Sequence, residues 1–285
     1  MKNIPIRQIH VTHTEPGVSE TFSIREVSDV LGGKDMVQEL HRHDFFFILV
    51  LKKGKGTHEI EFTSHNIGDR SVFFMRPGQV HRLVLKAGSI GYLMEFKPDF
   101  YPHDTVSHQL LRKASDKNRC QLDANGFKKL LDVSSVIFEE HSGKQESYKE
   151  VIKANLVVFF IELVRQQNCI RSSNQVNPYA QERLDQFLEL VETHLSNHKE
   201  VSYYADQLNL SIYQLNSITK ATLGKTSSEL INEHIILETK RYLLATSNQV
   251  TQIAQYLGYE DVSYFIRFFK KHTGYSPETF RINFK

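Results

Sequence analysis

Arg267, Lys270 and Lys271 follow closely on Ser263 and Tyr264, and in a matching stretch upstream Lys220 follows Tyr213, Gln214, Asn216 and Ser217. Guanidinium and ammonium groups neutralise phosphates, Arg can bracket a guanine, and Gln and Asn amides match the hydrogen-bonding edge of adenine. Such a set recognises nucleic acid. Neither stretch suggests a catalytic residue.

The elements that must position these side chains are written twice. Val201–Leu208 lies over Val250–Leu257 at an offset of 49; after Glu260 the offset becomes 50, and Ser211–Leu215 lies over Asp261–Phe265. Ser202 and Thr251 are read as N-caps of a first helix, and Asn209 and Gly258 as the left-handed residues that stop it. Ser211 and Asp261 are read as caps of a second helix. Its apolar stripe is Ile212, Leu215 and Ile218 in copy one, and Val262, Phe265, Phe268 and Phe269 in copy two. Two short helices joined by a tight turn make a helix-turn-helix, and the residues named above lie opposite the stripe of the second helix. Between the copies, Ser228 to Thr246 runs without Gly or Pro and predicts a connecting helix. Successive major grooves on one face of B-DNA lie ~34 Å apart, so one chain could read two of them.

Residues 182–285 closely resemble the DNA-binding domain of the AraC/XylS family of bacterial transcription regulators. The resemblance is carried by Ala205-x-x-Leu208, Leu223-Gly224-Lys225-Thr226, Lys240–Leu244 and above all Ile253-Ala254-x-x-x-Leu257-Gly258-Tyr259, with Tyr264-Phe265-x-Arg267-x-Phe269-Lys270-Lys271 and Gly274–Pro277. Copy one departs from the pattern at Asn209, Asn216 and Thr219. Over 181–285, 11 Lys+Arg against 12 Asp+Glu leave a charge of −1. Placement decides, because Arg267, Lys270, Lys271 and His272 cluster on one helix while Glu182, Asp185, Glu189 and Glu192 gather on another.

The chain has 285 residues, a net charge of +2 and two cysteines, Cys120 and Cys169, without a pairing pattern. Length suggests two domains, and the absence of a signal-like segment and of long apolar runs leads to an expectation of a cytoplasmic protein without a membrane span. From about 20 to 100 the sequence reads as short strands: Phe45–Leu51, His58–Phe62, Ser71–Met75, His81–Leu85 and Gly91–Phe96. His41-Arg42-His43, Gly54 and Pro77-Gly78-Gln79-Val80-His81 resemble the two motifs of the cupin barrel. In cupin enzymes the matching histidines share a metal with a glutamate whose place here is Phe47. Three imidazoles could still hold Zn²⁺, Cu²⁺ or Fe²⁺, but the missing carboxylate disfavours a catalytic metal, and no metal or cofactor is expected. Two readings stay open, histidines bonded to backbone at the barrel mouth or contact with an organic effector; for the second, His41, His43, Phe47, Arg76, His81 and Glu95 are the candidate lining.

Gly126–His141 and Glu146–Asn168 then read as amphipathic helices. The second, carrying Val151, Ile152, Leu156, Phe159, Phe160, Leu163 and Val164, is expected to form a subunit seam rather than core. The whole is an α+β chain: a cupin-like effector-binding barrel over 1–103, a helical dimerisation segment over 104–170, a linker over 171–181 and the DNA-binding domain over 182–285, with its helix-turn-helix motifs at 201–221 and 250–271. The expected function is an effector-controlled transcription regulator and not an enzyme. Its expected partners are promoter DNA, a small-molecule effector, a second copy of itself and, if it activates, RNA polymerase. A regulator whose barrel only dimerises, and a cupin enzyme fused to a DNA-binding domain, are the rival readings.

Overall fold

The computed structural model describes residues 6–7, 9, 21–102, 104–170 and 178–284. They fall into two compact units, one holding the described residues up to 170 and one those from 178 on.

The first unit is a pair of five-stranded sheets with helices on one side. In chain order it runs β1 (Ile6–Arg7), β2 (Phe22–Glu26), the short helix α1 (Val27–Leu31), β3 (Met36–His43), β4 (Phe46–Lys53), β5 (Gly56–Ile60), β6 (Thr63–Ile67), β7 (Ser71–Met75), β8 (Val80–Leu85), β9 (Ile90–Phe96), α2 (Thr105–Ala114), β10 (Arg119–Gln121), α3 (Ala124–Gly143) and α4 (Tyr148–Ile170). One sheet is ordered β1-β3-β8-β5-β6, the other β10-β7-β4-β9-β2. Strands β1, β2, β3, β6 and β10 join those expected from sequence. Glu61 and Phe62, read as strand, instead take the left-handed backbone of a turn.

The dense apolar run of β4 is explained by its place in the middle of the second sheet, buried on both faces. Phe47, Leu49 and Leu51 face the first sheet and pack with Ile60, Phe73, Met75 and Leu83. Ile48 and Val50 face the helices and pack with Phe74, Phe96, Ile152, Leu156, Phe159, Phe160 and Leu163. The Phe160 ring stacks on Phe74 with centroids 5.3 Å apart. This corrects the seam reading of α4: Ile152, Leu156, Phe159, Phe160 and Leu163 are wholly buried within one chain. A two-faced apolar sheet needs a cover of its own, and the stripe supplies it. Val136 of α3 and Val158 of α4 remain exposed.

The second unit is entirely helical: α5 (Pro178–His194), α6 (Val201–Gln207), α7 (Ile212–Leu223), α8 (Ser227–Ala245), α9 (Val250–Tyr256), α10 (Val262–Thr273) and α11 (Pro277–Phe284). Of the expected linker, 171–177 lie outside the described residues, while Pro178–Gln181 form the first turn of α5, where a proline's missing N–H costs nothing. α8 packs against α5, α6, α7, α9 and α11 and ties the unit together. Its 19 residues span roughly 28 Å. Thr226 and Glu229 close its N-terminus with a reciprocal capping box. No helix among the described residues is long and apolar enough to cross a membrane.

If the α4 stripe is core, Phe160→Ala should destabilise the first unit by about 3–5 kcal/mol, read from urea unfolding followed by circular dichroism. A cost well below that, together with a change in oligomeric state, would return the stripe to a seam.

Candidate nucleic-acid interface and histidine cluster

The two helix-turn-helix copies share one backbone geometry. Asn209 (φ 53°) and Gly258 (φ 71°) are both left-handed, so the next amide turns back into the first helix: Leu210 N–H donates to the Ala205 carbonyl and Tyr259 N–H to the Ala254 carbonyl, each at 2.9 Å. Copy two needs glycine for a second reason. A Cβ at Gly258 would lie 2.0 Å from the Ser196 carbonyl oxygen just beyond α5. Lys199 seals that approach, donating to the Gly258 carbonyl at 3.1 Å and lying 4.8 Å from the centre of the Tyr259 ring.

The first helices begin two residues earlier than expected. Val201 and Val250 open them, so Glu200 and Gln249 occupy the cap positions; Ser202 and Thr251 sit exposed in the first turn. The second-helix caps are as read. Ser211 accepts from the Gln214 amide in a capping box, and Asp261 accepts from Ser263 N–H at 2.8 Å and Tyr264 N–H at 3.1 Å. Leu215 and Ile218, and Phe265 and Phe269, are buried beneath them. Ile212 is not: as the first residue of α7 it is 48 % exposed.

Above those cores the structure exposes Tyr213, Gln214, Ser217 and Lys220 on α7 and Ser263, Tyr264, Arg267, Lys270 and Lys271 on α10. Tyr213 is 82 % exposed and Tyr264 53 %. Arg267 lies 3.8 Å from Asp261, a solvent-exposed pair worth little and easily exchanged for another anion. Gln214 shares its side-chain oxygen with the Ser211 amide at 2.8 Å.

Asn216 departs from the base-reading role. It is half-buried and its Oδ1 accepts from Ser227 N–H, the first amide of α8, at 2.9 Å. Thr219, one turn further, is fully buried, donates to the Asn216 carbonyl and faces the Ser227 hydroxyl at 3.4 Å. Copy one thus fastens α7 to α8 with polar groups where copy two buries Phe269.

In the first unit, three predicted histidines meet a fourth. His41 stands opposite His81 in the β3–β8 register, and Ile60, two residues beyond His58, stands opposite His81 on β5. With side chains alternating along each strand, His41, His43, His58 and His81 share the inner face of the first sheet. His81 Nε2 lies 2.8 Å from His43 Nε2 and 3.0 Å from His41 Nε2, while His81 Nδ1 lies 2.9 Å from His58 Nε2. The ring of His43 stacks on Phe47 and packs on Phe45. All four are buried, His43 most exposed at 5 %. They bond chiefly to one another; of the backbone, His41 Nδ1 reaches the Glu39 carbonyl at 2.6 Å and His43 bonds Arg7.

Burial holds all four neutral. It brings His41 down to about 4 and, with the neighbouring histidines, His43 and His58 to about 3; His81 is held well below the ordinary range for the same reasons. Glu95 lies across from Phe47 and is paired with Arg25 at 3.1 Å. Arg76 stands apart from the strands in the turn after β7, its amide donating to the Gln79 side chain at 2.8 Å. His58 was not singled out from sequence. Its signal was parity, since it shares a face with the apolar Ile60. A surface cavity of about 610 Å³ opens elsewhere, bordered by Ile60, His65, Lys117, Asn118, Arg119 and Gln167 among others. None of the six predicted lining residues borders it.

Comparison with known proteins matches residues 34–145 to a model described as an AraC-like ligand binding domain and residues 204–283 to one described as a helix-turn-helix domain. Among curated relatives, the chain is 24 % identical over 244 residues to the HTH-type transcriptional activator RhaS of Yersinia pestis, covering 85 % of this chain and 88 % of that protein. It is 22 % identical over 248 residues to RhaS of Escherichia coli, covering 85 % and 86 %. Among solved structures, apo ToxT from Vibrio cholerae aligns over 92 % of this chain and 97 % of its own at 19 % identity and a TM-score of 0.40.

Two outcomes follow from this geometry. Asn216→Ala should lower the stability of the helical unit by about 1 kcal/mol in urea unfolding and leave base preference unchanged; a changed preference at unchanged stability would restore it to the reading face. The folded histidines stay neutral where the unfolded chain, near 6.5, takes up protons. Stability of the first unit in metal-free buffer should therefore be full above pH 6.5 and fall as pH drops towards 4, by about 1.4 kcal/mol per pH unit for each histidine held neutral. A urea midpoint flat between pH 7 and 5 would contradict it.

Proposed function

Because the chain belongs to the AraC family of DNA-binding transcription regulators, joining an AraC-like ligand-binding domain to a helix-turn-helix domain, we propose that its output is set by a small-molecule effector taken up by the first unit. It is a regulator and not an enzyme. DNA is read by α7 and α10 together. One observation carries that assignment: the same face of the second helix, in both copies, is solvent-exposed and polar above a buried core, with Tyr213 and Tyr264 held out in water. Lys270 and Lys271 supply phosphate contacts, and Arg267 suits a guanine once it leaves Asp261. Ser217, Lys220, Ser263 and the amide nitrogen of Gln214 complete the two surfaces.

The cavity of about 610 Å³ beside Lys117, Arg119 and His65 has the size of a small-molecule site. Its lining sets two cations, Lys117 and Arg119, against one carboxylate, Glu61, beside the amides of Asn118, Gln121 and Gln167, and so suits a polar or anionic effector better than the sealed histidine cluster does. An effector acts only through a difference in affinity for two arrangements of the protein. We include a homodimer in this reading, through the faces of α3 and α4 that carry Val136 and Val158, and contact with RNA polymerase if the regulator activates.

At a cognate promoter site Arg267→Ala should cost about 1–3 kcal/mol and relax preference at one base pair, whereas Lys270→Ala should weaken binding to all sequences and flatten the salt dependence. Unchanged footprints for both variants would remove α10 from the interface. A small molecule that shifts promoter affinity of the wild-type chain, and fails to after Arg119→Ala, places effector control in the cavity. If no metabolite shifts it, the regulator is independent of ligand.

A further inference from the structure

The histidine cluster has more nitrogen lone pairs than protons to separate them. His41 Nδ1 lies 2.6 Å from the Glu39 carbonyl, which can only accept, so the His41 proton is on Nδ1 and its Nε2 is a bare lone pair. That lone pair faces His81 Nε2 at 3.0 Å, and His81 Nε2 also faces His43 Nε2 at 2.8 Å. If His81 carries its proton on Nε2, one N–H must serve two short contacts. If it carries the proton on Nδ1, donating to His58 Nε2, then two bare nitrogens oppose each other at 3.0 Å. Neither tautomer gives each short contact its own proton, and burial shuts out the water that would relieve it.

A cation accepts all the lone pairs at once. The ligating nitrogens of His41, His43 and His81 all lie within 4.8 Å of one another. At a metal–nitrogen distance of ~2.0–2.1 Å, tetrahedral ligands stand roughly 3.3–3.4 Å apart, so an ion is seated once the two contacts to His81 open from 2.8 and 3.0 Å and His41 and His43, within 4.8 Å of each other, settle to the same spacing. The outer partners are also set for it. Glu39 fixes the His41 proton away from the cluster, and His58 can do the same for His81, the arrangement that orients metal-bound imidazoles.

We propose that His41, His43 and His81 bind one divalent transition-metal ion, with His58 as a positioning residue behind His81. This reverses the expectation of no metal drawn from the missing carboxylate at Phe47. Glu95, across the sheet from Phe47, is neutralised by Arg25, so the donor set is three neutral imidazoles. That set suits Zn²⁺, Co²⁺, Ni²⁺ or Cu²⁺ and disfavours Mg²⁺ and Ca²⁺, which need oxygen ligands. The site stands independently of whether the cavity beside Lys117 and Arg119 takes an organic effector.

The test uses the tag-free full-length chain stripped with chelator, confirmed folded by circular dichroism, and titrated with Zn²⁺, Co²⁺ and Mg²⁺. One equivalent of Zn²⁺ should bind per chain and raise the thermal unfolding midpoint, Co²⁺ should develop the visible absorption of a tetrahedral site, and Mg²⁺ should do neither. His41→Gln and His81→Gln should abolish the cobalt absorption and the stoichiometric Zn²⁺. His58→Gln should keep the stoichiometry but weaken affinity about 10–100-fold. A folded wild-type chain that takes up no stoichiometric Zn²⁺ would overturn the site, as would cobalt absorption that survives both ligand variants. Zn²⁺ affinity unchanged by His58→Gln would remove His58 from it.

Discussion

The surface proposed to face DNA depends on a turn made twice. A left-handed residue at Asn209 and at Gly258 lets the following amide bond back to an alanine carbonyl of the first helix. That single hydrogen bond fixes how the second helix leaves the first, and so which of its faces is buried. Asparagine suffices in copy one. In copy two the Ser196 carbonyl closes over the turn and admits no side chain. α8 carries the geometry from one copy to the other, because it packs on both and holds its ends by caps rather than by length alone.

The first unit obeys a different constraint, a sheet buried on both faces. Once β4 and β7 are apolar on each side, one face must meet the other sheet and the other must meet helices. α4 is therefore committed to the core, and only its remaining faces are free for partners. The same packing confines four imidazoles to an apolar interior, where each stays neutral and their lone pairs converge.

Much of the second unit was legible in the sequence because its signals are local. Caps at Ser211 and Asp261, the turn residues Asn209 and Gly258 and the stripe through Phe265 and Phe269 each depend on near neighbours. The errors have tertiary causes. Asn216 reads as a base-contacting amide until α8 arrives and takes its oxygen. Ile212 lies on the apolar stripe but at the helix end, where it is only half covered. In the first unit the strands around Phe45–Leu51 were visible, whereas pairing register was not. His58 joins His81 only through the alignment of β5 with β8, and α4 reads as a seam until the second sheet is seen beneath it.

The central claim is that α7 and α10 of one chain enter successive grooves of one duplex. Hydroxyl-radical footprinting of the full-length protein on a promoter fragment tests it directly. Two protected windows on one face of the duplex, about 10 base pairs apart, are the predicted result, one window assigned to each helix by cleavage from a reagent tethered at Ser217 or Ser263. A single window reached from both positions, or cleavage from only one of them, would contradict it.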